Sequence, residues 1–528
     1  MRRFDLPGRS PVLAENGIAA TSHPLATSTA IAVLREGGSA ADAAIAASVT
    51  LAVVEPHMTG IGGDCFALVA EADGQVHGLN GSGRAAAGAD AAWYRAHGFV
   101  EIPQHSAHSV TAPGALRAWE ALHERFGKLP FERLFVDAIR LAEDGYPVTP
   151  RVAFDWIRQV ETLRQDEGAV RHMLINGEAP KVFDRFACPA LGKTLRRIAS
   201  QGASAFYQGE LAAGIAATVQ ARGGFLSEAD LAAVAADWVT PISTSYGGHQ
   251  VLEIPPNGQG VVALIMMNLM TLLGSRDLPP DSAQRYHLEI EAGRVAYAVR
   301  DAMVADPGHM VMSSTELTSM EFAQTLAGQI DRTRRNPSIA LPGLPSSDTV
   351  YLTVADRDGM AVSFINSVYG SFGSQIVTPD SAIVLQNRGS CFTLAEGHPN
   401  EIGSSKRPMH TIIPAMALRQ GRPSVSFGVM GGAYQPMGHA HVFSNFADHG
   451  MDPQQAIDHG RVFWGADGVL DIEAGVPEAV SSGLTDLGHQ VRLAAMPLGG
   501  GQMIVIDHES GFFIAGSDPR KDGHAAGY

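Results

Sequence analysis

The stretch from Thr349 to Asn366 most constrains the fold. Two runs of alternating character, Thr349–Ala355 and Met360–Asn366, flank the turn Asp356-Arg357-Asp358-Gly359. Alternation with period two puts successive side chains on opposite faces of a sheet, and a short turn containing Gly between two such runs specifies an antiparallel hairpin. The hairpin opens on a hydroxyl residue, within Ser346-Ser347-Asp348-Thr349-Val350, after a polar, proline-studded stretch from Asp331 to Pro345. A solvent-exposed loop feeding a strand that starts with threonine suggests a precursor cut before Thr349. The cut would give Thr349 a free α-amine, with a pKa of roughly 7.7–8, that can act as general base for its own hydroxyl. The competing reading is an ordinary strand, because threonine is common in strands and aspartate in the turns before them.

The alternating pattern recurs after the hairpin, in Ser381–Leu385, Ser424–Val429 and the pair Met503–Asp507 and Phe512–Gly516, with helices at Pro436–Asp448 and Pro453–Gly460. Before it the periodicity is mainly helical: Leu25–Glu36, Ser39–Val54, most of 113–273, and His287–Asp306 up to Pro307. Strands at Cys65–Ala70 and Gln250–Ile254 interrupt it. Gly37-Gly38 ends the first helix, and Ser39 with Asp42 makes a capping box for the second. Gly260–Leu273 falls short of the ~20 apolar residues of a membrane span and reads as a buried helix. Strands stacked in sheets and covered by helices predict an α+β layered sandwich.

Charge and motifs exclude several functions. A net charge of −16 argues against nucleic acid or an anionic membrane as partner, while a small anionic substrate can still meet a local arginine. Cys65, Cys188 and Cys391 are scattered and form neither a disulfide framework nor a zinc knuckle. The start, Met1 to Arg9, lacks the apolar run of a secretory signal, which predicts a cytoplasmic protein. Thr59-Gly60-Ile61-Gly62-Gly63-Asp64 leads from helix to strand, the reverse of a nucleotide-binding loop. His439 and His441 fall two apart on a helix and point to different faces, so no metal site is expected. Gly81-Ser82-Gly83 and Gly370-Ser371-Phe372-Gly373 do not make a nucleophile elbow, and Asp356 and Asp358 read as turn residues.

With Thr349 in place, motifs along nearly the whole chain fall into one order. They are Ser22-His23-Pro24-Leu25-Ala26, Gly37-Gly38-Ser39-Ala40-Ala41-Asp42-Ala43, Gly60–Asp64 and Val110-Thr111-Ala112-Pro113-Gly114 in the first part. Asp348-Thr349, Lys406-Arg407-Pro408-Met409, Gly431-Gly432 and Gly516-Ser517-Asp518-Pro519-Arg520-Lys521-Asp522-Gly523 follow. In this order and spacing the sequence resembles the γ-glutamyltranspeptidase family of N-terminal-nucleophile hydrolases. The resemblance implies a four-layer αββα sandwich and self-cleavage between Asp348 and Thr349. The products would be two interwoven chains, a helix-rich large subunit 1–348 and a small catalytic subunit 349–528, with a dimer of that heterodimer as the expected assembly. It also implies that Ser367 positions the nucleophile, that the N–H groups of Gly431 and Gly432 form the oxyanion hole, and that no metal or organic cofactor takes part.

Departures from the family pattern lie where the γ-glutamyl group would be held. Ser82 stands in place of the arginine that binds its α-carboxylate, and Cys391 replaces the aspartate that binds its α-amine. His410-Thr411 replaces a pair of serines, and Tyr369 an asparagine. Burying an ammonium group without an acidic partner is costly, so a γ-glutamyl substrate is disfavoured. Arg388, with Arg84 as a weaker second, is the expected carboxylate ligand, and Tyr369 and His410 are expected to shrink the pocket. A small carboxylate-bearing amide fits, and within the family the oxamate amidohydrolase branch, which forms oxalate and ammonia in ureide nitrogen salvage, matches best. A γ-glutamyltransferase or glutathione hydrolase, a cephalosporin-acylase-like amidase, and a catalytically silent binding protein of the same fold are the alternatives.

Overall fold

A computed structural model describes residues 8–339 and 348–528. The proline-studded stretch is therefore described only to Ile339; its remainder, 340–347, and the opening residues 1–7 lie outside the described residues.

Two seven-stranded sheets form the centre. The first runs Val12–Ala14, Phe512–Ser517, Gly500–Asp507, Arg422–Met430, Ala415–Arg419, His249–Glu253 and Ile242–Tyr246. The second runs His524–Gly527, Gly17–Thr21, Asp348–Asp356, Ala361–Tyr369, Asp64–Ala70, Val76–Gly81 and Asp237–Val239. All the pairings in both sheets are antiparallel. The expected hairpin is longer than its alternation indicated, and it lies in the interior of its sheet, so the strands have no free edge.

The sheets face each other through a polar seam. Thr349, Tyr351, Thr353, Ser363 and Ser367 are all fully buried. Thr353 Oγ1 and Ser426 Oγ lie 2.6 Å apart across the sheets, and Ser363 Oγ donates to the Phe427 carbonyl at 3.3 Å. Each hydroxyl therefore finds a partner, which removes most of the cost of burying it. The alternate residues Val350, Leu352 and Val354 face the helix Ala40–Val54, which is buried on every side. Its N-terminus carries the expected capping box between Ser39 and Asp42. On the far side, Gly260–Leu273 and Gln435–Ala447 cover the first sheet, and Ala283–Met303 packs against those two helices. The layers are thus helix, sheet, sheet, helix.

Two expected elements differ. Ser381–Leu385 is not a strand; only the bridge Val377–Val384 forms, because Ala382 turns to φ 56° and breaks the extended path. The helix expected at His287–Asp306 spans Ala283–Met303, started by Ser282, whose hydroxyl accepts from Arg285 N–H. Among the described residues no helix is long and apolar enough to cross a membrane.

Candidate active site

The strand starting at Asp348 changes register against its partner at its first residues: Asp348 faces Tyr369, but Val350 faces Asn366. Such a bulge re-aims side chains at the end of a strand. Thr349 Oγ1 consequently donates to Ser367 Oγ at 3.2 Å, and Ser367 Oγ also accepts from Tyr369 N–H at 2.8 Å. Tyr369 adopts φ 77°, a conformation costing a bulky side chain of order 1–3 kcal/mol. The turn lays its ring under Arg388, whose guanidinium carbon stands 4.3 Å from the ring centre. Burial pushes the Tyr369 phenol well above its ordinary range, and Cys391 adds to this, so the phenol keeps its proton.

Arg388 begins a short 3₁₀ turn, Arg388–Cys391, and is fully buried. Its guanidinium donates to Thr411 Oγ1 at 2.7 Å and to Ser367 Oγ at 3.4 Å, and lies 3.9 Å from Cys391 Sγ. Its Nε has no hydrogen-bond partner, and among the described residues no carboxylate forms an ion pair with it. A buried charge without a counter-ion is costly.

The strand Arg422–Met430 ends in Gly431-Gly432, at φ 122° and 55°. A Cβ at Gly431 would lie 2.8 Å from the Gly499 Cα, so glycine is required by space as well as by φ. Both carbonyls are engaged: that of Gly431 accepts from Tyr434 N–H at 3.0 Å and that of Gly432 from Gln259 Nε2 at 2.9 Å. Among the described residues neither glycine N–H donates to a backbone carbonyl outside regular strands and helices.

Behind these groups lies a buried network that joins His410, Thr411 and Ser82 to three residues the sequence did not mark as site residues, Asp64, Asn257 and Gln259. Asp64 Oδ1 accepts from Gly83 N–H, Gly114 N–H and Gln386 Nε2 at 2.9–3.0 Å, and Oδ2 from His410 Nε2 at 3.1 Å. The other His410 nitrogen accepts from Ile412 N–H. Burial, helped by the charge of Arg388, lowers His410 to about 3, so it is a neutral ring pinned by Asp64. Gln259 Nε2 donates to the Thr411 carbonyl at 2.7 Å as well as to Gly432, and its Oε1 accepts from Arg300 at 3.1 Å. Asn257 holds Ser82 Oγ and the Pro408 carbonyl. Only the Gly-Gly-Asp motif offered a signal for Asp64; the other residues have partners about 150 or more positions away.

Thr349, Ser367, Tyr369, Arg388 and Thr411 therefore form one contiguous group. Arg84 does not join it: its side chain is 45% exposed and pairs with Asp306 at 3.4 Å and the Ser405 carbonyl at 3.1 Å. His439 and His441 separate as expected, onto Glu253 and Glu289.

Two sheets facing each other between helical layers, with a buried threonine hydroxyl at the head of a central strand, define the N-terminal-nucleophile hydrolase class. A family profile described as Gamma-glutamyltranspeptidase matches residues 26–528, and the chain belongs to that family. It is 34% identical over 529 residues to a glutathione hydrolase-like YwrD proenzyme of Bacillus subtilis, covering 98% of this chain and 99% of that one. It is 37% identical over 527 residues to an oxamate amidohydrolase proenzyme of Klebsiella pneumoniae, covering 97% and 98%. The crystal structure of a cephalosporin acylase from Bacillus halodurans superimposes with a TM-score of 0.93 at 38% identity, over 100% of this chain and 99% of that one. The chain is an amidohydrolase of a self-processing family.

Proposed function

We propose that the enzyme hydrolyses a small carboxylate-bearing amide, oxamate to oxalate and ammonia, through an acyl-enzyme on Thr349. The observation that carries this reading is Arg388, a buried guanidinium with no carboxylate partner among the described residues, one hydroxyl away from Thr349. A two-carbon amide is short enough to place its carboxylate on the arginine while its amide carbon meets the threonine oxygen.

The chemistry begins in the precursor. Thr349 Oγ1 attacks the Asp348 carbonyl, the peptide C–N bond breaks, and the resulting ester is opened by water, leaving subunits 1–348 and 349–528. In the mature enzyme the new α-amine takes the hydroxyl proton as oxygen attacks the substrate amide. The Gly431 and Gly432 N–H groups receive the negative charge on the carbonyl oxygen, a contribution worth roughly 10²–10³ in rate per donor. The amine returns the proton to the leaving nitrogen, ammonia departs, and water hydrolyses the acyl ester. Ser367 orients the nucleophile, Arg388 with Thr411 holds the carboxylate, and Tyr369, with His410 behind, limits the length of the acyl group. No metal or organic cofactor enters this scheme. We propose with it a cytoplasmic role in purine and allantoin nitrogen catabolism and a dimer of processed heterodimers, the first supported by the oxamate reading and the starting residues Met1–Arg9, which lack an apolar run.

The test is an ammonia-release screen over small amides. Oxamate should be turned over best, ahead of amides lacking a carboxylate and of longer acyl chains. Efficient release of p-nitroaniline from a γ-glutamyl anilide would favour a transpeptidase or glutathione hydrolase instead, and preference for long acyl amides would favour an acylase. An uncut precursor that hydrolyses none of them would leave only a binding role.

A further inference from the structure

The helix Ala283–Met303 carries a line of buried polar side chains spaced three apart: Glu291, Arg294, Tyr297 and Arg300. Each is a neighbour of the next, so the row winds around the helix. The lower half of this row points to the oxyanion turn. Tyr297 donates to the Ala433 carbonyl, and Arg300 donates to Gln259, which holds Gly432.

The upper half grips the chain ahead of the scissile peptide. Arg294 donates to the carbonyls of Asn336 and Ile339 at 3.0 and 2.5 Å. Glu291 accepts from Asn336 N–H at 2.9 Å and pairs with Arg294 at 2.6 Å. Both side chains are essentially fully buried, and a buried ion pair is in itself poor evidence of stability. This pair is spent on main-chain groups of an irregular segment, which has no ladder or helix to satisfy them. One turn up the helix, the His287 ring adds a contact of 2.8 Å to the Asp331 carbonyl.

We propose that Glu291 and Arg294 are positioning residues for self-cleavage. They fix the incoming chain at Ile339, nine positions ahead of Asp348, on the same helix that holds the oxyanion turn. The proposal rests on cleavage before Thr349. Without the pair, Asn336 and Ile339 lose their ties to this helix, whose remaining bonds to the segment are those of Gln284 to the Arg332 carbonyl and His287 to the Asp331 carbonyl. The approach to the scissile peptide then loses its fixed origin, which slows cleavage.

The experiment follows freshly translated full-length precursor by denaturing electrophoresis. It then measures ammonia release per N-terminal Thr349 in the matured fraction. In the double variant Glu291→Gln/Arg294→Met, which leaves no lone buried charge, cleavage should slow threefold or more. The kcat/KM of the cut fraction should stay within twofold of wild type. Arg294→Lys, which keeps the charge but cannot span both carbonyls, should be intermediate, and it carries the test if the double variant does not fold. Unchanged cleavage rates, or cleavage and mature activity falling in parallel, overturn the proposal. A wild-type chain that is never cut before Thr349 overturns the underlying reading instead, independently of either variant.

Discussion

In the proposed reaction Thr349 and Arg388 divide the site between them, and their substitutions should separate the two jobs. Thr349→Ala should abolish both self-cleavage and hydrolysis, leaving one band on a denaturing gel; two normal bands would remove it as nucleophile. Arg388→Ala should mature normally but lose charge-assisted hydrogen bonds worth roughly 1.5–3 kcal/mol each. The expected result is a KM for oxamate raised at least tenfold in steady-state kinetics, and an unchanged KM would take Arg388 out of the site. Thr349 was singled out from a local pattern, the head of a strand, whereas Ser367 and Gly431-Gly432 were reached only through the family resemblance. Arg388 stood out because it is a cation where the family pattern has none. Asp64 and Gln259 were not legible as hubs, since their partners come from distant loops with no fixed spacing. The surface placement of Arg84 was hidden for the same reason: sequence shows an arginine near a motif but not the Asp306 that pairs with it.

At the scale of elements, the hairpin was legible because alternation and an Asp-Gly turn are local signals, whereas Ser381–Leu385 shows how an apolar run can be bent out of a sheet by one residue in the left-handed region. The distance between the two sheets is set by close contacts that composition conceals. A Cβ on Gly428 would come within 2.4 Å of the Tyr351 ring on the facing strand. Gly428→Ala should therefore cost about 1–3 kcal/mol by overpacking, seen as a lower thermal midpoint. It should also slow cleavage, because Tyr351 is two residues from the nucleophile. Adding Tyr351→Leu should recover part of the loss, since residues in contact do not act additively; a purely additive double variant would refute the contact.

Over the whole molecule, burial holds His23, His410, His459 and His489 at about 3, far below the ordinary 6.5. Between those values the unfolded chain binds protons at these positions and the folded one does not, so stability must rise with pH there and fall on acidification. Each group contributes a limiting slope of about 1.4 kcal/mol per pH unit. Buried Glu55 and Glu253, raised by desolvation, work in the opposite sense above 4.5 and lessen the net slope. The thermal midpoint should drop between pH 7 and 5, and more gently in His410→Gln; an identical pH profile for that variant would show that His410 is protonated in the fold. The order of strands also has a mechanical consequence. Four strands of one sheet and three of the other precede peptide 348–349, and the remainder follow it, with Gly17–Thr21 wedged between His524–Gly527 and Asp348–Asp356. Neither product of the cut owns a complete interior, so the nicked enzyme should stay whole on nanomolar dilution in gel filtration. The same two polypeptides made from separate genes should be insoluble unless they are renatured together.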